Sequence, residues 1–402
     1  MRQVKFVDLA AQNLEIRDDV EREFELIHAQ TAYIGGAAVK RFEEGFADFL
    51  GVRHVIGVSS GTDALRLSLL ALGVGPDDEV ITTPFTFIAT VEAIVQTGAR
   101  PVFVDIDPAT CNLSVAATQR YLESGVFRPA RRAKIILPVH LYGLPAAMEP
   151  LGNLAARYGL KIVEDACQAH GAKVVLDGRR VRAGTIGAAG CFSFYPGKNL
   201  GAWGEAGAIA TNLDEVAEAV ALIRDHGRIS HYTHQDYGYN ARLDTLQAAV
   251  LSAKLKRLEA WNERRREAAA LYRELLADSG VQLPAEPDGF DSCYHLFVIR
   301  SEQREAIRSA LVANQIDCGI HYPVPLHLQP ACNALGYRRG DFPESERVAD
   351  TVLSLPMHPH LTRSELMRVA GLVRDAVKSD RGLFAGERYE HEAACIPPPR
   401  GQ

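Results

Sequence analysis

The 402-residue chain lacks several features that mark whole classes of protein. It has no apolar run long enough to cross a membrane, and its charged start, MRQVKFVDLAAQNLEIRDDVEREF, lacks the apolar core of a signal peptide. It has no basic block, and its net charge is −6, so nucleic acid is not an expected partner. None of its seven cysteines has CxxC spacing, which favours reduced thiols over a disulfide framework or a zinc site. We expect a cytoplasmic protein with no metal site, membrane partner or nucleic-acid partner.

From residue 54 onward, two patterns alternate. Short β-branched runs such as HVIGVSS, DEVITTP, AKIILPVH and LKIVEDA are typical of buried strands, and TDALRLSLLAL and TFIATVEAIVQTG between them are typical of helices. Apolar strands separated by helices indicate a mostly parallel sheet that is covered on both faces. The sequence therefore predicts an α/β fold.

The pattern changes beyond this region, which suggests more than one unit. NLDEVAEAVALIRDHG predicts a helix with Asn212 as N-cap and Gly227 as its stop, and a long amphipathic pattern follows it. The predicted units are an N-terminal segment with a large domain in 1–245, a long connecting helix in 246–281, a smaller C-terminal domain in 282–378, and a loose tail without periodicity in 379–402.

Open parallel sheets bind ligands at the carboxyl ends of their strands. The candidates at those positions are Ser59, Gly61 and Thr62; Pro84 to Phe87; Glu164, Asp165 and Gln168; and Ser193 through Lys198. The least expected is Lys198, in GCFSFYPGKNLGAWGEAGAIATN, because lysine side chains are usually exposed. Crowding by glycine and aromatic residues would desolvate the ammonium and lower its pKa, which frees the amine to attack a carbonyl. The alternative is an ordinary surface lysine.

Two further candidates have a functional interpretation that depends on a reactive amine at Lys198. The Ser-Gly-Thr turn around Gly61 either holds a phosphate at a helix N-terminus or is a simple N-cap. Asp165 is either an N-cap or a partner for a cationic group such as a protonated ring nitrogen. An amine, a separate carboxylate and a phosphate cradle are together what pyridoxal phosphate requires.

Many segments resemble the DegT/DnrJ/EryC1/StrS family of sugar aminotransferases, in the family's order and across about residues 30 to 375. They are YIGG, VSSGTDALRLSLLALGVGPDDEVITTPFTFIATVEAIVQTGARPVFVDID, PVHLYG, IVEDACQAHGA, FSFYPGKNLGAWGEAGAIATN, GYNARLDTLQAA and HYPVPLH. The resemblance implies a type I pyridoxal-phosphate transferase fold, with a large domain of mostly parallel sheet and a smaller α+β domain. It also implies aminotransferase activity and a homodimer with shared active sites.

The resemblance further implies a role for each matching position. Lys198 would be the Schiff-base lysine and proton shuttle, and Asp165 would be the partner of the pyridine nitrogen. Gln168 would lie next to the ring oxygen, and Phe87 would stack on the ring. The phosphate ligands would be Gly61, Thr62 and Ser193, together with Asn240 from the partner chain. His321, Tyr322 and His327, in GIHYPVPLHLQPA, would contact the substrate; for Tyr322 and His327 the alternative is packing under a proline-rich turn.

The expected reaction moves an amino group, from glutamate as donor, to a keto-sugar nucleotide. Some relatives replace the lysine with histidine and act as dehydratases, so Lys198 favours amino transfer. Gly197 stands where relatives that act on 4-keto sugars commonly have histidine, which favours a 3-keto-6-deoxyhexose linked to a nucleoside diphosphate. The alternatives are the 4-keto position, a cyclitol ketone such as an inosose, and a regulatory protein that binds the cofactor without turnover.

Overall fold

The computed structural model describes residues 3–124 and 132–393 of the chain. The helices are α1 Leu9–Gln30, α2 Gly36–Leu50, α3 Gly61–Ala71, α4 Ile88–Gln96, α5 Val115–Glu123, α6 Met148–Tyr158, α7 Asp214–Ile223, α8 Thr245–Leu255, α9 Leu258–Leu276, α10 Arg304–Ala313, α11 Pro343–Thr351 and α12 Arg363–Ala393. The strands are β1 His54–Val58, β2 Asp78–Thr82, β3 Arg100–Phe103, β4 Arg132–Ile136, β5 Lys161–Asp165, β6 Lys173–Leu176, β7 Arg179–Arg182, β8 Ala189–Ser193, β9 Gly207–Thr211, β10 Arg228–Ser230, β11 Thr233–His234, β12 Phe290–Asp291, β13 Phe297–Arg300 and β14 Val352–Leu355.

The central sheet has seven strands in the order β1-β9-β8-β5-β4-β2-β3. The pairs among β8, β5, β4, β2 and β3 are parallel, whereas β9 runs antiparallel to both of its neighbours. Each parallel connection needs a crossover, which the intervening helices supply. The sequence prediction of a mostly parallel sheet is therefore confirmed.

Helices cover both faces of this sheet, which is why its strands are apolar without alternation. Successive residues of a strand point to opposite faces. In β4, Ile135 packs in a core with residues of α3, and Ile136 packs in a different core with residues of α6; both are fully buried. A third core, between α2, α8 and the β8–β9 end of the sheet, is built largely from Phe42, Phe46, Phe192 and Phe194.

The second unit is built on the antiparallel pair β13–β14, against which α10, α12 and the end of α9 pack. Its core contains Phe297, Leu311, Leu355 and Val373. Val4 also lies in this core and forms a parallel bridge with Ile316. The first residues of the chain thus pack with the C-terminal unit, although the sequence analysis grouped them with the large domain.

Two expectations about helices are wrong. The long helix expected in 246–281 is divided into α8 and α9 by a turn at Lys256 and Arg257, and it ends at Leu276. Neither glycine nor proline marks this turn; it lets α8 cover α1 and α2 while α9 continues into the core of the C-terminal unit. Asn212 does not cap α7, since its Oδ1 accepts a hydrogen bond from the Arg53 N–H.

The expected tail also differs from the structure. Helix α12 continues from Arg363 to Ala393, so 379–393 are helical, and 394–402 lie outside the described residues. Leucine, alanine, glutamate and arginine in this stretch favour helix without any apolar periodicity. Gly227, expected as the stop of α7, follows the helix end at Ile223 by four residues and has φ +65°.

The described residues can be compared with the expectations of no disulfide framework, no membrane span and no metal site. Cys111, Cys167, Cys191, Cys293, Cys318 and Cys332 are all free thiols, and Cys395 lies outside the described part of the chain. Across residues 3–124 and 132–393, no helix combines the length and the apolar character that a membrane span requires. Within the same ranges, no cluster of histidine, cysteine, aspartate and glutamate has the grouping of a metal site.

Candidate active site

The carboxyl ends of β1, β2, β5 and β8 meet at one edge of the central sheet, as their shared direction requires. The turn before α3 follows β1, the Pro84–Phe87 segment follows β2, and Asp165 ends β5. Ser193 ends β8, and the loop that carries Lys198 follows it. The candidates from the sequence therefore lie along a single rim.

Asp165 is buried, with 5% of its surface exposed. Its Oδ2 accepts a hydrogen bond of 2.8 Å from the Thr90 hydroxyl, and its Oδ1 accepts one of 3.2 Å from the Cys167 N–H. Thr90 lies in the first turn of α4, where its hydroxyl also contacts that of Thr86. No regular helix begins at Asp165, so the N-cap alternative for this residue is wrong.

Lys198 lies in a tight turn after β8, where its N–H donates to the carbonyl oxygen of Tyr195 at 2.9 Å. The side chain is partly buried. Burial lowers the pKa of the Lys198 ammonium below its ordinary value, and the neighbouring Cys167 and Asp165 limit the decrease. The lysine is therefore not the freely solvated surface residue of the alternative interpretation, and its amine is available at a lower pH than usual.

The N-terminus of α3 lies against the end of β8. A Cβ added at Gly61 would be only 2.5 Å from Cβ of Ser193, and a Cβ added at Gly207 would be 2.9 Å from the Gly61 nitrogen. The N–H groups of Gly61 and Thr62 hydrogen-bond to no residue in the described part of the chain, because they belong to the first turn of a helix. Two free amides and the Ser193 hydroxyl thus adjoin one another, which is the donor set of an anion site.

Gln168 is held in one orientation from both sides. Its Oε1 accepts from the Tyr142 N–H at 2.7 Å, and its Nε2 donates to the Tyr322 hydroxyl at 3.1 Å. The Tyr322 ring lies 6.1 Å from that of Phe87, which is 55% exposed. His321 is tied to this group, because the Tyr142 hydroxyl donates to its carbonyl oxygen. Burial, and then the charge of Lys198, lower the pKa of His321.

The remaining two candidates make other contacts. His327 is 1% exposed; its Nε2 lies 2.9 Å from Glu346 Oε1, and its ring packs edge-on against Phe342. This is the packed arrangement that the sequence analysis gave as the alternative to a substrate contact. Asn240 is exposed, and its Oδ1 accepts from Arg242 at 2.9 Å.

These residues fit pyridoxal phosphate by the chemistry of their donors. A desolvated amine, a buried carboxylate with a free side and a set of unpaired amides meet at one rim. A model of the DegT/DnrJ/EryC1/StrS aminotransferase family matches residues 15–374. The chain belongs to this family. It is therefore a pyridoxal-phosphate-dependent aminotransferase of the type I fold, which confirms the family, fold, enzyme class and cofactor predicted from the motifs.

Individual relatives in this family cover almost the whole chain. The chain is 43% identical over 365 residues to the pleiotropic regulatory protein of Geobacillus stearothermophilus, a match that spans 90% of this chain and 95% of the relative. It is 43% identical over 373 residues to the dTDP-3-amino-3,4,6-trideoxy-alpha-D-glucose transaminase of Streptomyces venezuelae, spanning 92% and 96%. The crystal structure of S. venezuelae DesV in complex with a ketimine intermediate superposes with a TM-score of 0.88 at 42% identity and covers 94% of this chain and 99% of that one.

Several residues at the rim of this aminotransferase were not among the candidates predicted from the sequence. Thr90 follows the TTPFTF segment by one helical turn, and that spacing was the signal that could have identified it. Cys167 lies between Asp165 and Gln168, and its Sγ would meet a Cβ at Gly61 at 3.0 Å. His295 has no such local signal, because only the tertiary structure brings it near Lys198.

Proposed function

We propose that this aminotransferase transfers an amino group from glutamate to C3 of a 3-keto-6-deoxyhexose carried on a nucleoside diphosphate. The observation that carries the proposal is the Lys198 amine, desolvated beside Asp165 at the carboxyl ends of the strands. The amination position is supported by the 3-amino sugar in the name of the S. venezuelae relative, whose length the match covers almost completely.

Pyridoxal phosphate, when bound, supplies an electron sink and a carbonyl carbon that carries the amino group between two substrates. We propose that Lys198 would bond to its aldehyde, that Asp165 would pair with its ring nitrogen, and that Gln168 and Phe87 would contact the ring. Gly61, Thr62 and Ser193 would hold its phosphate. The hydrogen bonds from the Thr90 hydroxyl and the Cys167 N–H hold the Asp165 side chain in one orientation.

Lys198 would also be the base. An amine that has been released from the cofactor must take a proton from the donor amino acid at Nζ and later return it. The lowered pKa of its ammonium increases the fraction of free amine near neutral pH, which is the form that can accept the proton. The tight turn at Tyr195 limits the positions that Nζ can reach.

His321 and Tyr322 are the proposed substrate contacts. Both are partly buried at the mouth of the rim, and the charge of Lys198 affects the pKa of His321, which supports their proximity to the chemistry. Gly197 supports the preference for the 3-keto position through the resemblance of the YPGKNLGAWG segment to family members that act there. A Cβ there would meet only ring carbons of Tyr195, at 3.7 and 3.8 Å, so the structure itself does not require glycine.

We further propose a homodimer in which Asn240 completes the partner's phosphate site. The exposed position of Asn240 supports this. The adjacent segment 228–237, which contains the hairpin β10–β11, supports it as well, because its Ile229, Tyr232 and Tyr237 are 59%, 87% and 98% exposed. Large exposed apolar side chains in a cluster are typical of interaction surfaces. The free thiols support a reducing compartment, in keeping with a cytoplasmic location.

A regulatory role without turnover is the second candidate, and the name of the G. stearothermophilus relative favours it. The test is single turnover. Enzyme loaded with the amino form of the cofactor is mixed with 3-keto and 4-keto sugar nucleotides and with an inosose, and recovery of the aldehyde spectrum is followed. We expect rapid recovery with the 3-keto substrate alone, and a 3-amino product by NMR. Amination at C4 or of the inosose would refute the substrate proposal, and no recovery with any of them would favour the regulatory candidate.

A further inference from the structure

A second group of buried polar side chains lies next to Lys198, apart from the proposed cofactor contacts. Asn199 follows the lysine in the chain and is 1% exposed. Its Nδ2 donates to Asn262 Oδ1 and to the Cys293 carbonyl oxygen, both at 2.9 Å. These bonds tie the lysine loop to α9 and to the segment that leads into β13. His295, at the end of that segment, places its Nδ1 3.3 Å from Asn199 Oδ1.

The direction of every bond in this group follows from two main-chain carbonyls, which can only accept. Asn262 donates through Nδ2 to the His170 carbonyl oxygen at 2.7 Å, so its Oδ1 must be the acceptor for Asn199. Asn199 uses Nδ2 for both of its donated bonds, so its Oδ1 is the atom that faces His295. The imidazole must therefore donate from Nδ1. A neutral ring has one N–H, which leaves Nε2 with a lone pair.

The electrostatic surroundings keep this ring neutral. The charged and titratable groups that act on His295 are Lys198, Arg265, His170 and His321, all of them basic. The Arg265 guanidinium is buried and donates to two main-chain carbonyl oxygens, and no carboxylate of the described residues pairs with it. Burial first, then the charges of Lys198 and Arg265, and last the two neighbouring histidines, lower the pKa of His295 well below its ordinary value.

Nε2 of His295 is open to a ligand. The ring is only partly buried, and within residues 3–124 and 132–393 nothing hydrogen-bonds to this nitrogen. The charge of Lys198 lowers the pKa of this ring, so the imidazole and the amine lie in the same part of the site. Neutral imidazole nitrogen is a strong hydrogen-bond acceptor and a weak base, which suits it to an N–H or O–H donor.

We propose that His295 is a further active-site residue, whose Nε2 accepts a hydrogen bond from a donor in the site, and that Asn199 is the positioning residue that fixes its tautomer. The donor is an N–H of the Lys198 ammonium, which rotation of that flexible side chain would have to bring within reach because the structure has no hydrogen bond between the two, or a hydroxyl of the bound keto sugar. A sugar hydroxyl as donor rests on the proposed function, whereas the tautomer of His295 and the Lys198 ammonium as donor do not.

The tautomer is measured without substrate. Long-range nitrogen–proton NMR of cofactor-free protein labelled with ¹⁵N-histidine distinguishes the two neutral forms and the cation, and loss of one signal set in His295→Asn assigns the residue. We expect His295 to carry its proton on Nδ1 at neutral pH, and Asn199→Asp, which loses both donated bonds, to raise its pKa. A proton on Nε2, or a cationic ring at neutral pH, would overturn the proposal, and His295→Gln gives the same assignment where His295→Asn does not fold.

Two conservative variants distinguish the role of His295 Nδ1 from that of Nε2. In His295→Asn the amide nitrogen takes the place of Nδ1 and keeps the bond to Asn199 but removes the acceptor. In His295→Gln the amide reaches the place of Nε2 and can restore an acceptor there. His54→Asn, a partly exposed histidine at the start of β1, controls for simple loss of an imidazole.

The two donor sources give different results. If Lys198 is the donor, His295→Asn lowers the pKa of Lys198 in cofactor-free protein, followed by NMR of ¹³C-methylated lysines with Lys198→Arg as the assignment. If a sugar hydroxyl is the donor, that pKa stays unchanged, and His295→Asn raises KM for the acceptor about tenfold, the usual effect of one neutral hydrogen bond. Either effect should be reversed in His295→Gln. No change in the lysine pKa or in KM would overturn the acceptor role.

Discussion

Gly61→Ala tests whether the anion cradle depends on the close approach of α3 and β8. The new Cβ would lie 2.5 Å from Ser193 Cβ, 3.0 Å from Cys167 Sγ and 3.1 Å from Ser193 Cα. Real Cβ atoms essentially never come within 3.0 Å of another heavy atom, so something must shift. Ser193 cannot move freely, because β8 is hydrogen-bonded between β5 and β9. The N-terminus of α3 should therefore move away from the strand.

Two opposing contributions determine the expected change in the free energy of unfolding of Gly61→Ala. Overpacking of a well-packed site costs about 1–3 kcal/mol. Replacing glycine by alanine also reduces the backbone freedom of the unfolded chain, which stabilises the folded protein by about 0.4–1 kcal/mol. We expect a net loss of up to about 2.6 kcal/mol, centred near 1.3 kcal/mol, in the free energy of unfolding of cofactor-free Gly61→Ala. Gly152→Ala is the matched control, since that glycine lies inside α6 with nothing within 4 Å of an added Cβ, and it should gain about 0.5–1 kcal/mol.

The assay is urea unfolding of the cofactor-free variants, together with the dissociation constant for pyridoxal phosphate. Because the N–H groups of Gly61 and Thr62 would be displaced, Gly61→Ala should bind the cofactor at least tenfold more weakly. The affinity of Gly152→Ala for the cofactor should be unchanged. Ser193→Gly removes the atom met at 2.5 Å, so Gly61→Ala should cost at least 0.5 kcal/mol less in that background, a coupling typical of residues in contact. An equal cost in both backgrounds, or a Gly61→Ala protein with normal stability and cofactor affinity, would refute the reasoning.

Three other substitutions test separate parts of the site. Lys198→Ala should abolish transamination but still bind the cofactor without the spectrum of the lysine adduct; turnover at the wild-type rate would contradict the assignment of the amine. Asn240→Ala should lower cofactor affinity, and mixing it with Lys198→Ala subunits should restore some activity by forming one intact site; unchanged affinity and no restored activity would remove the shared-site role. Glu164→Gln should destabilise the protein by about 3 kcal/mol in thermal or urea unfolding, because its NH₂ group would face hydrogen-bond donors, whereas a stable variant would show that the buried charge is dispensable.

Local patterns in the sequence were enough to predict the sheet and the rim. The apolar runs of β1, β2 and β5 identify buried strands, and strand direction alone brings Gly61, Asp165 and Lys198 to the same edge. The chemical role of Lys198 came from its crowded surroundings together with the resemblance to a family. The structure adds the cause, since burial lowers the pKa of that ammonium.

Long-range contacts explain most of what the sequence could not predict. Asn212 has the composition of an N-cap, but Arg53, distant in the chain, takes its side-chain oxygen. The turn between α8 and α9 contains no glycine or proline, because the two packing surfaces that the helices cover determine it. His295 is unremarkable in the CYHLFV segment; its tautomer depends on Asn199, which folding brings to it from nearly a hundred residues earlier.

Glu164 and Asp165 show how the structure separates two acids that the sequence places side by side. As neighbours in a strand they point to opposite faces of the sheet. Glu164 accepts four hydrogen bonds, from His140 Nε2 and from three N–H groups of the 184–187 turn, which fill the roughly four acceptor positions of a carboxylate. Among the described residues, Asp165 accepts hydrogen bonds from Thr90 and Cys167, which leaves part of its acceptor capacity unused. A buried carboxylate with unused acceptor positions requires another donor to offset its desolvation, and a protonated ring nitrogen at the rim would be that donor.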